Sequence, residues 1–214
     1  MKKAFFILLS FWLYSCGIIT RSEGYKDGRQ SYYAKLLSDQ EKHLLEQGQE
    51  VMKEFEVKDP NGEVITKGTL RVKKEGAIYK SVEVGPWLDH FIDKEDLLPV
   101  KGYIEQNDQY DQLGNLMERK VYYWKPKQGE KYLKGEMKGQ IEVIAGKEVL
   151  VQYTTTYFPD GKVQESFAVV SPSFKEFQRD INKPKYNHGA FNRYNQQGER
   201  IQSKTYDYSN KIKT

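Results

Sequence analysis

At 214 residues, the chain is long enough for one sizeable domain or two small ones, each with a core of its own. Hydrophobic residues make up only 38% and charged residues 30%, so much of the apolar area must come from sixteen Tyr, ten Phe and three Trp. The formal charge of +4 falls to +2 once Lys2 and Lys3 are set aside, and the remaining charges are interspersed. That excludes the basic stripe a nucleic-acid partner would need. Tyr suits a half-buried sheet surface, with a ring that packs and a hydroxyl that stays wet. The expectation is therefore a thin sheet with much exposed face.

The chain opens with Lys2 and Lys3, then an apolar run from Ala4 to Tyr14 broken only by Ser10. A short positive region followed by an apolar stretch of this size has the form of a secretory signal peptide, residues 1–15. It is shorter than the roughly 20 apolar residues a membrane-spanning helix needs. The run ends at Leu13-Tyr14-Ser15-Cys16. This ending resembles the lipobox of bacterial lipoproteins, with Leu at −3, a small residue at −1 and the lipidated Cys; Tyr14 departs from the usual residue at −2. The resemblance implies cleavage before Cys16, a diacylglyceryl thioether and an acylated amine on that residue, and anchoring in the cell envelope. Gly17, where enteric bacteria use Asp for inner-membrane retention, implies the outer membrane, facing the periplasm. An ordinary signal peptide, or a buried N-terminal strand, is the plainer alternative. Cys16 is the only cysteine, so no internal disulfide is expected.

Residues 16–36 read as a tether from lipid to folded part. Ser38-Asp39-Gln40-Glu41 is a capping box, starting a short helix that stops at Gly48. From Glu50 the texture is β, with strands over Val51–Val57, Val64–Val72 and Ala77–Val84. Gly85-Pro86 breaks the pattern, and Trp87–Leu98 reads as a short helix or irregular lid. A second block continues with Val100–Asn107, Asn115–Trp124 and Lys131–Glu136, a turn near Lys138-Gly139, then Gln140–Ile144. Val149, Val151, Tyr153, Thr155 and Tyr157 alternate with polar or small neighbours apart from Leu150; Val163, Phe167 and Val169 share one parity on the return strand. Ser171-Pro172 opens a further helix with a stripe of Phe174, Phe177 and Ile181. A last hairpin closes the domain, over Ala190–Arg193 and Arg200–Tyr208, and residues 209–214 form a polar tail. The expected fold is mainly β, an antiparallel meander of hairpins in a repeat-like open sheet with two or three short flanking helices. Residues 37–208 make the domain, with 37–99 and 100–208 as candidate sub-blocks.

One turn form recurs, at Lys58-Asp59-Pro60-Asn61-Gly62, Tyr110–Gly114, Tyr157–Gly161 and Tyr194–Gly198. Asp or Asn at the first turn position bonds its own backbone, Pro presets φ at the second, and Gly takes the left-handed fourth. Gly62, Gly114, Gly161 and Gly198 are thus structural turn residues, and adding Gly139 suggests a drifting unit of about 23 residues. The Tyr-x-x-x-Gly turn followed by a strand is similar to the hairpin repeats of the MORN-variant and YD-repeat families, best over Tyr153–Val169. The resemblance implies scaffolding and binding surfaces, and brings no catalytic residues.

His43, His90 and His188 lie far apart in sequence, without zinc-ligand spacing. Neither a nucleophile elbow nor a phosphate-binding loop is present. The reading assigns no catalytic residue, metal or cofactor. Tyr122, Trp124, Tyr153 and Tyr157 are the candidate binding residues, as an aromatic platform for a glycan or peptide strand, with roughly half of the aromatics turned inward. Three functions follow. The first is a non-enzymatic, lipid-anchored envelope protein, bound to the membrane through Cys16, whose hairpins meet a protein partner. The second is a glycan- or peptidoglycan-binding module, and the third a hydrolase assembled around Asp89-His90.

Overall fold

The computed structural model describes residues 36–58, 62–92, 103–125, 129–171 and 186–209. Cys16, the Phe174–Ile181 stripe and the tail beyond residue 209 lie outside the described residues. Ten strands form a single sheet in sequence order, β1 to β10. They are Val51–Lys58, Val64–Glu75, Ile78–Ile92, Tyr103–Tyr110 and Leu116–Lys125, then Glu130–Ile144, Lys147–Tyr157, Val163–Ser171, Tyr186–Tyr194 and Arg200–Tyr206. Every pairing from β3 to β10 is antiparallel, and the fold is the mainly β meander that the alternation predicts.

The chain divides into two compact units, residues 1–51 with 72–81, and residues 52–71 with 82–214. The first holds α1, Asp39–Glu46, with the tip of the β2–β3 hairpin. Ser38 Oγ accepts from the Glu41 amide at 3.2 Å, and Glu41 Oε2 accepts from the Ser38 amide at 2.7 Å. This reciprocal cap satisfies two amides that would otherwise have no helical acceptor. Glu46 receives hydrogen bonds from Lys74 and Tyr79 of the hairpin tip, and Leu45 is buried. α1 is the one helix among the described residues, fewer than the two or three expected.

In the second unit, three hairpins close through the same five-residue geometry. The amides of Gly114, Gly161 and Gly198 donate to Asp111, Phe158 and Asn195 carbonyls at 3.1, 2.9 and 2.9 Å. The amides of Asp111, Phe158 and Asn195 in turn donate to Asn115, Lys162 and Glu199 at 2.9, 2.8 and 2.9 Å. All three glycines have φ between 81° and 87°, the left-handed closure of a type I turn with a bulge. Each turn adjoins a register shift, at Gln109/Tyr110, Thr156/Tyr157 and Arg200/Gln202. Gly62 has φ 86°, although residues 59–61 of its turn lie outside the described set.

Two local expectations are overturned. Trp87 to Ile92 is neither helix nor lid: it belongs to β3, paired residue for residue with β4 from Gly85↔Tyr110 to Ile92↔Tyr103. Gly85 bends through φ 66° and carries the strand past Pro86, so the Gly-Pro pair kinks the strand without ending it. The Lys138-Gly139 turn is also absent, because β6 runs straight through it. Gly139 serves a close approach: a Cβ there would sit 2.9 Å from the Leu116 carbonyl oxygen. The reversal comes instead at Ala145-Gly146, with φ 49° and 77° at the two loop positions, as a type I′ turn requires. The turn spacing therefore does not include Gly139.

Cross-strand register sorts the side chains. One row runs Trp87, Asp108, Arg119, Met137, Thr154 and Phe167, and its first four members are buried. The row beside it on the opposite face runs Leu88, Asn107, Lys120, Glu136, Thr155, Ser166, Asn192 and Ser203, from β3 to β10. Over β3–β6 this second face is polar. Over β7–β9 it carries a small core of Val149, Val151, Ala168 and Val170, covered by Tyr208. The return strand thus presents Ala168 and Val170 to this core, on the parity opposite to Phe167 and Val169.

Candidate functional site

The buried face of β1–β5 is organised by an ion pair and an aromatic stack. Arg119 grips Asp108 bidentately, Nε to Oδ1 at 2.7 Å and Nη2 to Oδ2 at 2.8 Å. Gln106 and Tyr110 donate to the same Asp108 Oδ2 at 2.8 and 3.1 Å. Burial disfavours the Arg119 charge, but the bonds and charge of Asp108, with smaller contributions from Tyr110 and Asp89, more than reverse this and raise its pKa. Asp89 is buried nearby and accepts from Thr66 Oγ1 at 2.8 Å. These charges are committed to one another, which is structural chemistry. Beside them Trp87 stacks on Phe55, ring centroids 5.8 Å apart and planes 12° from parallel. The indole lies over Gly68 of β2, where any Cβ would collide with the ring.

A concavity of about 710 Å³ lies over these five strands, entirely within the second unit. Its polar rim comes from the opposite face: Glu54 and Glu56 of β1, Lys67 of β2, Asn107 and Gln109 of β4, and Glu118 and Lys120 of β5. Pro86 and Leu88 of β3 supply an apolar strip between them. Lys67 and Lys58 pair with Glu56 at 3.3 and 3.0 Å, whereas Glu54, Glu118 and Lys120 have no ion pair among the described residues. The lining therefore mixes carboxylates, amides and ammonium groups on a strand-spaced grid. Sequence reasoning missed this set, because no sequence motif gathers residues from five strands; the signal is the register.

One residue pair further along the same face, His90 sits across from Glu105. His90 Nδ1 lies 2.7 Å from the Val64 carbonyl oxygen, so that nitrogen donates, and Nε2 approaches Glu105 at 3.8 Å. Burial would raise the Glu105 pKa, but hydrogen bonds from Lys131 and Asn107, with charges of Lys131 and His90, hold it below the ordinary carboxylate value. The carboxylate a His90-centred hydrolase would use is thus already bound to two donors, and His90 does not line the concavity.

Of the four aromatic candidates, Tyr122 and Trp124 share the polar face of β5. Lys131 lies over the Tyr122 ring, 4.8 Å from its centroid, and Trp124 is 37% exposed. Tyr153 and Tyr157 are on β7, and each donates its hydroxyl to a carboxylate of β6: Glu142 at 2.5 Å and Glu136 at 2.6 Å. Those bonds favour the neutral phenol and push both pKa values up to about 12. The four do not form one platform: Tyr153 lies opposite Lys138, and the register sets it two residue pairs along from the Tyr122 row.

Among the described residues no group of three His, Cys, Asp or Glu is placed to hold a metal ion, and no helix is long and apolar enough to cross a membrane. No protein-family model, no curated protein and no solved structure matches the chain.

Proposed function

We propose that the protein is a lipid-anchored component of the bacterial cell envelope, non-enzymatic, whose sheet presents a side-chain surface to a protein partner. The leader ending in Leu13-Tyr14-Ser15-Cys16 supports the anchor, and Gly17 in place of Asp supports outer-membrane placement. Two or three acyl chains, at about 0.8 kcal/mol for each buried CH₂, hold a protein stably at a bilayer. One observation carries the binding role: the polar row from Leu88 to Ser203 crosses eight neighbouring strands on one face. A non-enzymatic reading is favoured because the buried Asp108 and Arg119 serve each other, and the buried Asp89 accepts from Thr66. The test has two arms. Cys16→Ser should move the protein from the membrane to the soluble fraction; retention at the membrane would remove the anchor from the proposal. Affinity capture from detergent-solubilised membranes should return one stoichiometric envelope partner, lost when Lys120, Glu136 and Asn192 are replaced by Ala. Recovery of the protein alone would count against the docking role.

A further inference from the structure

We infer that the concavity over β1–β5 is a binding site for a neutral oligosaccharide, laid along the polar face of β4 and β5. The site shares Leu88, Asn107 and Lys120 with the polar row proposed above for protein docking, and sugar titration tests it separately from affinity capture. Three observations carry it. First, recognition on a sheet face falls to side chains, since the ladder already uses the backbone amides and carbonyls that an extended peptide would need. The side chains there are amides and carboxylates, Asn107 and Gln109 beside Glu118; Asn107 spends one N–H on Glu105 at 2.8 Å and keeps a second N–H and its oxygen, so the set pairs with sugar hydroxyls as donor and acceptor together. Neighbouring strands set such groups about 4.8 Å apart, and alternate residues on one strand about 6.7 Å apart. That grid is commensurate with hydroxyls on opposite sides of one sugar ring.

Second, charges of both signs line the groove. Lys120 stands two residues from Glu118, and Lys67 faces Glu56 at 3.3 Å, so neither a polyanion nor a polycation meets a complementary field. A ligand rich in hydroxyls and without charge fits both signs. Third, apolar surface lies where the rings of such a ligand would rest. Leu88 and Pro86 form the strip beside the amides, and beyond the concavity the exposed Trp124 indole stands on the same face of β5, four residues from Lys120 with Tyr122 between them. That separation is about 13 Å along the strand, a span of a few sugar units. The volume, about 710 Å³, lies within the range of small-molecule sites, about 300–1,000 Å³.

The experiment uses the full chain in detergent and titrates it with chitotetraose, maltotetraose and cellotetraose, followed by calorimetry and tryptophan fluorescence. Tetragalacturonic acid and an uncharged strand-forming hexapeptide serve as the competing classes. At least one neutral tetrasaccharide should give saturable heat and a shift in tryptophan emission. The double variant Asn107→Ala/Gln109→Ala and the single variant Trp124→Ala should each weaken that binding by at least about tenfold. Both sites lie on the solvent side of the sheet, and an unchanged melting temperature distinguishes lost binding from lost folding. Val143→Ser, on the distant β6–β7 tip, should leave affinity unchanged. The inference is overturned by absence of saturable heat with all three neutral sugars, by preference for the acidic sugar or the peptide, or by binding that these variants do not alter.

Discussion

Gly68 is a position where a single hydrogen atom is the functional side chain. The Trp87 indole covers it and reaches across β2 to stack on Phe55, so the absent Cβ is what joins β1 to β3. Gly68→Ala forces the ring out of its well and should destabilise by roughly 1–3 kcal/mol, read by urea unfolding, with loss of the near-ultraviolet signal of Trp87. At Asp108, removing the carboxylate strands the buried Arg119 charge. Asp108→Ala should cost about 3–5 kcal/mol in the same assay, whereas replacing both partners by Met should cost much less. Equal losses in the two would show that the pair contributes net stability. At Tyr153 and Tyr157, carboxylate acceptors hold the phenols neutral, with pKa values of about 12 where an ordinary tyrosine has 10.0. The folded-state value is raised, so this contribution is complete below pH 10 and fades as pH climbs through 12. An ultraviolet titration should show two tyrosines ionising late, and Glu142→Gln should return Tyr153 toward 10. None of these contacts is legible in sequence, because each joins residues that only pairing brings together.

Among the elements, hairpins were the readable part. Asp111, Asn195 and Gly161 stand where local chemistry demands them: Asp111 Oδ1 accepts from the Leu113 and Asn115 amides at 2.8 Å, and Asn195 Oδ1 from Glu199 at 2.9 Å. Such turns are closed by nearest neighbours, so a five-residue window contains their cause. The β6–β7 turn has the opposite character. Ala145 has no side-chain device for φ 49°, and the strands on either side impose it. Ala145→Asn, which supplies the usual residue of a type I′ turn, should stabilise by about 0.5–1 kcal/mol in thermal or urea unfolding. A neutral or destabilising result would mean that the loop is not strained. Gly85-Pro86 and Lys138-Gly139 were misread for one reason. Glycine marks a turn, a left-handed bend inside a strand (Gly85) and a close backbone approach (Gly139) with the same letter, and only the neighbouring strand distinguishes them.

Across the whole molecule, each strand from β4 to β9 pairs with its two sequence neighbours, and cohesion is quasi-one-dimensional. The core beneath Tyr208 belongs to β7 and β8, while β10 is exposed along most of its length. Hydrogen exchange should therefore be slowest in β7 and β8 and fastest in β10; uniform protection would contradict a nearest-neighbour sheet. Residue order alone determined the strand-rich class, the meander, the capped helix and three bulged hairpins, because alternation and turn chemistry act over two to five positions. Tertiary structure decided which alternating face is buried, where β3 and β6 continue through glycine, and how β4 and β5 bring Asn107, Gln109 and Glu118 to one groove. Register is a relation between strands, and a list of residues read along one strand does not contain it.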